Sequence, residues 1–398
     1  MKVAFFSNYL NHHQLPFCLA MERLTGGSFT FVATEPIPQE RLDFGYEDMN
    51  RRYPFVLTTY DDPDNERKAV ELALTADVVV LGSAPLKYAE ERVKLGRLTF
   101  RYSERLYKQG LRLSRFPRQL ASQFRHYGRF AGKPYYMLCA SCYTAYDLGR
   151  FGSFRNKTYK WGYFPAVQAE QPDELFRKKR EQNRPTLLWA GRLLDWKHPE
   201  MALRLAEHLK QEGYSFGLKL IGNGELEQPL KRMIREKGLE DCVTMPGAMK
   251  PEQVRANMEA ADIFLFTSDF NEGWGAVLNE SMNSGCAVVA SHAIGAVGFL
   301  MKNGENGLIF RNEDQNDLNA KVRALLDHPE QLEQLGRAAY HTLDSLWNAE
   351  TAAERLLALA EHLNRGGKGS PFPDGPCSAA PRISNRRAGS LLLKRGNQ

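Results

Sequence analysis

Two carboxylates, Glu272 and Glu280, stand eight positions apart in the stretch 261–291, ADIFLFTSDFNEGWGAVLNESMNSGCAVVAS. An acid lining a cleft needs a partner, because an ionised carboxylate is costly to take out of water. Around the first acid lies a turn, Asn271, Gly273, Trp274 and Gly275, which opens a helical segment. Glycine lets backbone amides approach a ligand closely, and the first turn of a helix presents unsatisfied N–H groups. Turn and helix together make an anion site suited to phosphate, although the same residues also suit a plain strand-to-helix turn. Eight helical positions rise about 12 Å, the scale of a sugar–diphosphate–ribose span. A carboxylate offers several lone pairs and binds hydroxyl groups well. An acid at each end with amides between is what a nucleotide sugar needs.

A second constellation lies upstream. Ala190-Gly191-Arg192-Leu193 ends an apolar run, and Lys197 follows the arginine by five positions. Two cations at one strand end can hold a diphosphate and stabilise it as it departs, though an Arg and a Lys near a helix start also read as ordinary surface. Ile221-Gly222-Asn223-Gly224 begins like a dinucleotide fingerprint. Its sixth position is Glu227 rather than a small residue, and no acid ends the following strand, so NAD is rejected. His12 and His13 sit in a polar loop, Asn8 to His13, where either could act as a base or simply cap a helix. Asp62-Pro63-Asp64 has metal-like spacing but reads as the turn before a helix, and no metal is expected. Cys139 and Cys142 close an apolar run without the second pair a zinc site needs, and fit strand-end thiols in a reducing cytosol.

These groups must be positioned by strands and helices. Ile263 to Phe266 reads as a strand, Ala276 to Asn283 as a helix and Cys286 to Ala290 as a strand. That succession is one unit of a doubly wound sheet, whose ligands settle at the carboxyl ends of the strands. Similar runs occur at Thr186 to Ala190, Gly217 to Ile221, around Val243 and at Gly307 to Phe310. The first half repeats the pattern at Val3 to Phe6, Phe29 to Ala33, Val78 to Leu81 and Tyr135 to Ala140. Short apolar runs alternating with helical segments imply parallel sheets covered on both faces. At 398 residues the chain is too long for one ordinary core. The expected fold class is α/β, with two doubly wound Rossmann-like domains facing a cleft. Residues 1–165 form the first domain, 166–184 a linker without apolar periodicity, 185–345 the second domain, and 346–364 a last helix. Residues 365–398 are Gly/Pro/Ser-rich and basic, and are expected to be disordered.

Charge is segregated. The net +6 comes mostly from residues 366–398, where six Lys/Arg face one Asp. Residues 87–130 hold twelve Lys/Arg against three Glu, with aromatic residues interleaved. Such a stretch is either a solvated helical face or a surface for anionic lipid head groups or a lipid-diphosphate acceptor. Nucleic acid is not an expected partner, since no recognition module accompanies the charge. No run of about 18 apolar residues could span a membrane, and Met1 to Ser7 has too short an apolar core for a signal peptide.

Taken jointly, the motifs resemble a family. Residues 186–363 resemble the donor half of retaining, family-four GT-B glycosyltransferases (glycosyl transferases group 1) of the bacterial glycan-assembly kind. The resemblance rests on Ala190-Gly191-Arg192-Leu193 with Lys197, Ile221-Gly222-Asn223-Gly224, Met245-Pro246-Gly247, Glu272-x7-Glu280, Asn303-Gly304-Glu305-Asn306-Gly307-Leu308, and Trp347. It implies that Arg192 and Lys197 bind the donor diphosphate and that Glu272 contacts the donor sugar. Gly273, Trp274 and Gly275 would line the phosphate-proximal loop beside Asn271, with Gly191 and Gly222 close by. Glu280 would take the ribose hydroxyls, and backbone near Gly247 would meet the base. It further implies retention of configuration without metal or cofactor, and a last helix from Trp347 that returns to the first domain. The first loop, Asn8 to Gln14, lacks the glycines common in the family.

The expected activity is transfer of a sugar from a UDP-, GDP- or other nucleotide-sugar to a glycan or polyprenyl-diphosphate-linked acceptor. The expected location is the cytoplasm, peripheral on the inner membrane face through residues 87–130. Two other readings stand beside it: a sugar-nucleotide epimerase on the same fold, and a non-catalytic binding protein of that shape.

Overall fold

The structure is a computed structural model that describes residues 1–39, 42, 47–108, 110, 116–167 and 172–394. It divides into two compact units, Met1–Ala166 with Trp347–Ser384, and Val167–Leu346 with Asn385–Gln398.

In the first unit seven strands, β1 (Val3–Ser7), β2 (Phe29–Ala33), β3 (Val56–Thr58), β4 (Val78–Leu81), β5 (Thr99–Ser103), β6 (Tyr135–Cys139) and β7 (Thr158–Lys160), run in the order β3-β2-β1-β4-β5-β6-β7. All neighbouring pairs are parallel. β1 and β4 are buried along their whole length, which is why they read as unbroken apolar runs. The helix Ala349–Asn364 packs on the helix Leu15–Leu24. Ahead of it Trp347, 2% exposed, stacks on Phe164 with ring centroids 6.4 Å apart.

Among the described residues the basic stretch is four elements rather than one face: the helix Lys87–Lys94, β5, the helix Phe116–His126 and a 3-10 turn at Gly128–Phe130. Arg92 points into the interior. Its guanidinium donates to the carbonyls of Ala73, Ala76, Asp77 and Leu98, so backbone oxygens replace the water it lost.

Two expectations about connecting segments need correction. Within 166–184 a helix forms at Pro172–Arg180 and buries Leu175 and Phe176. A turn's worth of apolar side chain was enough to dock it. Residues 168–171 lie outside the described residues. The segment 365–394 is ordered. Its chain runs antiparallel to the edge strand β7, bridging Tyr159 to Ala379. Cys377 N donates to Lys160 O at 2.8 Å and Ala380 N to Thr158 O at 3.0 Å. An edge strand carries unpaired N–H and C=O groups, and covering them needs backbone rather than apolar composition. Residues 395–398 of that expectation lie outside the described residues.

The second unit holds six strands, β8 (Thr186–Ala190), β9 (Gly217–Ile221), β10 (Val243–Gly247), β11 (Ile263–Phe266), β12 (Ala287–Ser291) and β13 (Leu308–Phe310), ordered β10-β9-β8-β11-β12-β13 and parallel throughout. The order reverses between β8 and β11. At such a switch point the connections leave in opposite directions and open a crevice at the carboxyl edge.

Glycines let the loops beside that point close up. Gly222 has φ 145°, and a Cβ there would lie 1.8 Å from the carbonyl oxygen of Gly191. Backbone bonds follow from the closeness: Gly191 N to Ile221 O at 3.0 Å, Gly222 N to Gly247 O at 2.9 Å, and Leu193 N to Asn223 O at 2.8 Å. The loops after β8, β9 and β10 are thus stitched together. Gly222→Ala is expected to cost about 3 kcal/mol or more in urea unfolding. Gly238→Ala, at φ 57° with nothing within 4 Å of its Cβ, is expected to cost about 1 kcal/mol. Equal costs would contradict the close approach.

Candidate functional site

The loops after β8 and β11 meet at the switch point and are fastened there. Thr267 Oγ1 accepts from Trp189 Nε1 at 2.9 Å and donates to Lys197 O at 2.7 Å. Asp269 N donates to Trp196 O at 3.0 Å. This fastening brings together two residues seventy-five positions apart. Lys197 Nζ donates to Glu272 Oε2 at 2.7 Å, with the two side chains 14% and 12% exposed. Ser268 Oγ donates to the same carboxylate oxygen at 3.0 Å, and Lys197 Nζ lies 4.7 Å from the ring centroid of Trp196. Charge, hydroxyl and aromatic ring together satisfy a pair that is largely out of water. Arg192 is exposed on the β8 loop and makes no ion pair among the described residues.

The glycine turn is shaped from beneath. Gly275 has φ 86°, and a Cβ there would meet the Phe266 ring at 2.6 Å. Asn271 is held by Asp269, which accepts from its backbone N at 2.7 Å and its Nδ2 at 3.0 Å. Gly273 is buried and Gly247 closes β10 with φ 87°. Trp274 departs from the reading of a ligand-lining residue. Its side chain is fully buried, with Nε1 donating to Asn279 Oδ1 at 2.8 Å. An indole satisfied in this way is core, so only the Trp274 backbone faces the turn. Glu280 lies on the helix Val277–Asn283, where burial pushes its carboxyl up to about 7 while Arg255 pulls the other way.

Sequence reasoning singled out neither Ser268 nor Asp269, though both follow β11 directly. His198 adopts a left-handed conformation, φ 49° and ψ 49°, ahead of the helix Pro199–Gln211. Its ring lies between two acids, Nε2 3.8 Å from Asp269 Oδ2 and Nδ1 3.2 Å from Glu200 Oε1. Asp269 first and Glu200 second raise its pKa to about 10, against the burial that opposes charge. His198, Asp269 and Glu313 bring ligand atoms within 4.8 Å of one another.

His12 and His13 belong to the first unit. Their rings are 3.7 Å apart, and His13 stacks on Tyr163 at 5.8 Å with an interplanar angle of 4°. His13 lines an aromatic pocket with Phe5, Phe17, Tyr102 and Trp161.

Because His198 has a folded pKa above its unfolded value of about 6.5, its contribution is complete below that pH and fades as pH rises through about 10. His198→Asn keeps a residue tolerant of the left-handed conformation. Its stability deficit is expected to be largest below pH about 6.5 and to shrink steadily toward pH 10 in urea titrations. A deficit constant across that range would contradict the ion pairing.

Two doubly wound units with parallel seven- and six-stranded sheets define a GT-B architecture. Residues 170–342 match the family described as Glycosyl transferases group 1. Among characterised proteins, the chain is similar to the amylovoran biosynthesis glycosyltransferase AmsK of Erwinia amylovora, 30% identical over 182 residues and covering 44% of each chain. It is also similar to the alpha-D-kanosaminyltransferase of Streptomyces kanamyceticus, 26% identical over 51% of this chain and 54% of that one. The chain spans about half the length of the curated relatives it matches. Among solved structures, Anabaena HepE in complex with UDP superposes with TM-score 0.66 at 16% identity, over 92% of this chain and 100% of that one. A Rickettsia africae glycosyltransferase superposes with TM-score 0.65 at 14% identity, over 92% and 99%. At those identities the likeness establishes the fold.

Proposed function

We propose that the protein is a glycosyltransferase that moves a sugar from a nucleotide-diphosphate sugar to a glycan or polyprenyl-diphosphate-linked acceptor, with retention of configuration. The observation that carries the reading is the Lys197–Glu272 pair at the switch point, 2.7 Å apart, with exposed Arg192 on the same loop. The matched family and the UDP-bound neighbour support it.

In the proposed course, an incoming diphosphate competes with Glu272 for the Lys197 ammonium, and Arg192 supplies the second cation. Both cations then face oxygens whose charge grows as the sugar–phosphate bond breaks, which lowers the barrier. Glu272, released from Lys197 but still bonded to Ser268, accepts from hydroxyls of the donor sugar. Glu280 takes the ribose hydroxyls. The acceptor hydroxyl attacks the face the diphosphate leaves, passing its proton to a departing phosphate oxygen. Neither metal nor cofactor enters this course. UDP and GDP sugars are both candidate donors.

A lipid-linked acceptor would place the reaction at the cytoplasmic surface of a membrane. No helix among the described residues is long and apolar enough to cross one, so attachment would be peripheral.

Arg192→Ala and Glu272→Ala are each expected to lower turnover by about 10² or more; Arg192→Ala should leave the melting temperature of the unliganded protein unchanged, whereas Glu272→Ala should lower it, because Lys197 loses its carboxylate. Glu280→Ala is expected to raise the donor KM more than it lowers kcat. Near-normal transfer by both of the first two variants would sink the assignment.

A further inference from the structure

Asp269 is the hub of the two loops that meet at the switch point. Its backbone N donates to Trp196 O at 3.0 Å, and its own O accepts from Glu272 N at 3.1 Å. Its carboxylate accepts from Asn271 N at 2.7 Å and from Asn271 Nδ2 at 3.0 Å. The same carboxylate meets the residue that follows Lys197, since His198 Nε2 lies 3.8 Å from Asp269 Oδ2. Lys197 is therefore bracketed on both sides by contacts to one aspartate, and that aspartate also holds the backbone of Glu272.

A hub of this kind carries a penalty. Asp269 is an acid beside loops read as holding a diphosphate, and its side chain is only 18% exposed. Burial pushes its carboxyl up, but His198 and Asn271 outweigh burial and hold it below the usual aspartate range. An ionised carboxylate so little solvated opposes an incoming anion. Two further acids approach the same imidazole. Glu200 Oε1 lies 3.2 Å from His198 Nδ1, and Glu313 brings a carboxylate oxygen within 4.8 Å of both His198 and Asp269.

His198 is a cation set among these three acids. At 3.8 Å its contact with Asp269 is too long for a hydrogen bond, so what it supplies there is charge. The backbone points the same way. His198 has φ 49°, a conformation glycine adopts freely and a histidine only at a cost. The chain carries a histidine at this position in spite of that cost.

We propose that His198 is a positioning residue for nucleotide binding: its charge offsets Asp269, so that the aspartate can fasten the Lys197 and Glu272 loops without repelling a nucleoside diphosphate held between them. His198 need touch no donor atom, because it acts through Asp269. The inference deepens the reading of a nucleotide-sugar donor site and rests on that reading.

The test is titration calorimetry of the full chain with UDP and with GDP near neutral pH. His198→Asn, which tolerates the left-handed conformation, is expected to bind the nucleotide about tenfold more weakly or worse. In a transfer assay its loss is expected in the donor KM rather than in kcat. Adding Asp269→Asn is expected to restore binding to within about threefold of wild type. The amide Oδ1 can still accept from Asn271 N, and the backbone bonds to Trp196 and Glu272 do not depend on the side chain. Glu200→Gln removes the other close acid, and is expected to cost stability in urea while keeping nucleotide affinity within about threefold. A double variant that binds no better than His198→Asn alone would overturn the proposal. So would equal weakening by Glu200→Gln, the mark of a purely structural role. Wild-type affinity in His198→Asn would sink this inference and leave the donor site standing. Binding of neither nucleotide by wild type would sink the donor-site reading and this inference with it.

Discussion

The ion pair between Lys197 and Glu272 is the constraint on which the second unit's functional surface turns. It joins the loop after β8 to the loop after β11, the two strands between which the sheet reverses direction. Holding these side chains together requires the Thr267 and Asp269 fastenings, and those require Trp189 and Trp196 where they are. With each partner little exposed, removing one would leave the other charge in a poorly solvated place. The pair thus keeps both side chains charged and fixed at the carboxyl edge of the sheet.

The neighbouring features follow from the same geometry. Gly222 lets β9 approach Gly191 at a distance no side chain permits, which fixes the loop that carries Arg192. Gly275 curls the turn over Phe266, which fixes the loop that carries Glu272. His198 is held charged between Asp269 and Glu200, and so ties the start of the following helix to the β11 loop. Each glycine or charge acts by setting where a loop can run. Catalytic roles would fall on the few side chains those loops present.

Much of this was legible in the sequence because strands covered on both faces must be apolar throughout. β1, β4, β8, β11 and β12 are buried over most or all of their length, and each appears as a run. β3, β5 and β7 escaped notice because they are short, or carry polar residues such as Arg101 and Lys160. The two acids and two cations could be named from residue type and spacing. That Lys197 and Glu272 hold each other could not, since the contact depends on strand order. That the Trp274 side chain packs beneath its turn could not be read either: a tryptophan beside a loop and a tryptophan beneath it look alike in one dimension. Composition misled at the C-terminal segment, where backbone pairing to β7 supplies order that the side chains do not advertise.

The most direct test of the account is a crystal structure of the protein with a bound nucleoside diphosphate, using UDP and GDP in turn. The account expects Lys197 Nζ to leave Glu272 and sit with Arg192 within about 3 Å of phosphate oxygens, with the ribose against Glu280. A nucleotide bound elsewhere, with Lys197 and Glu272 still paired, would contradict it.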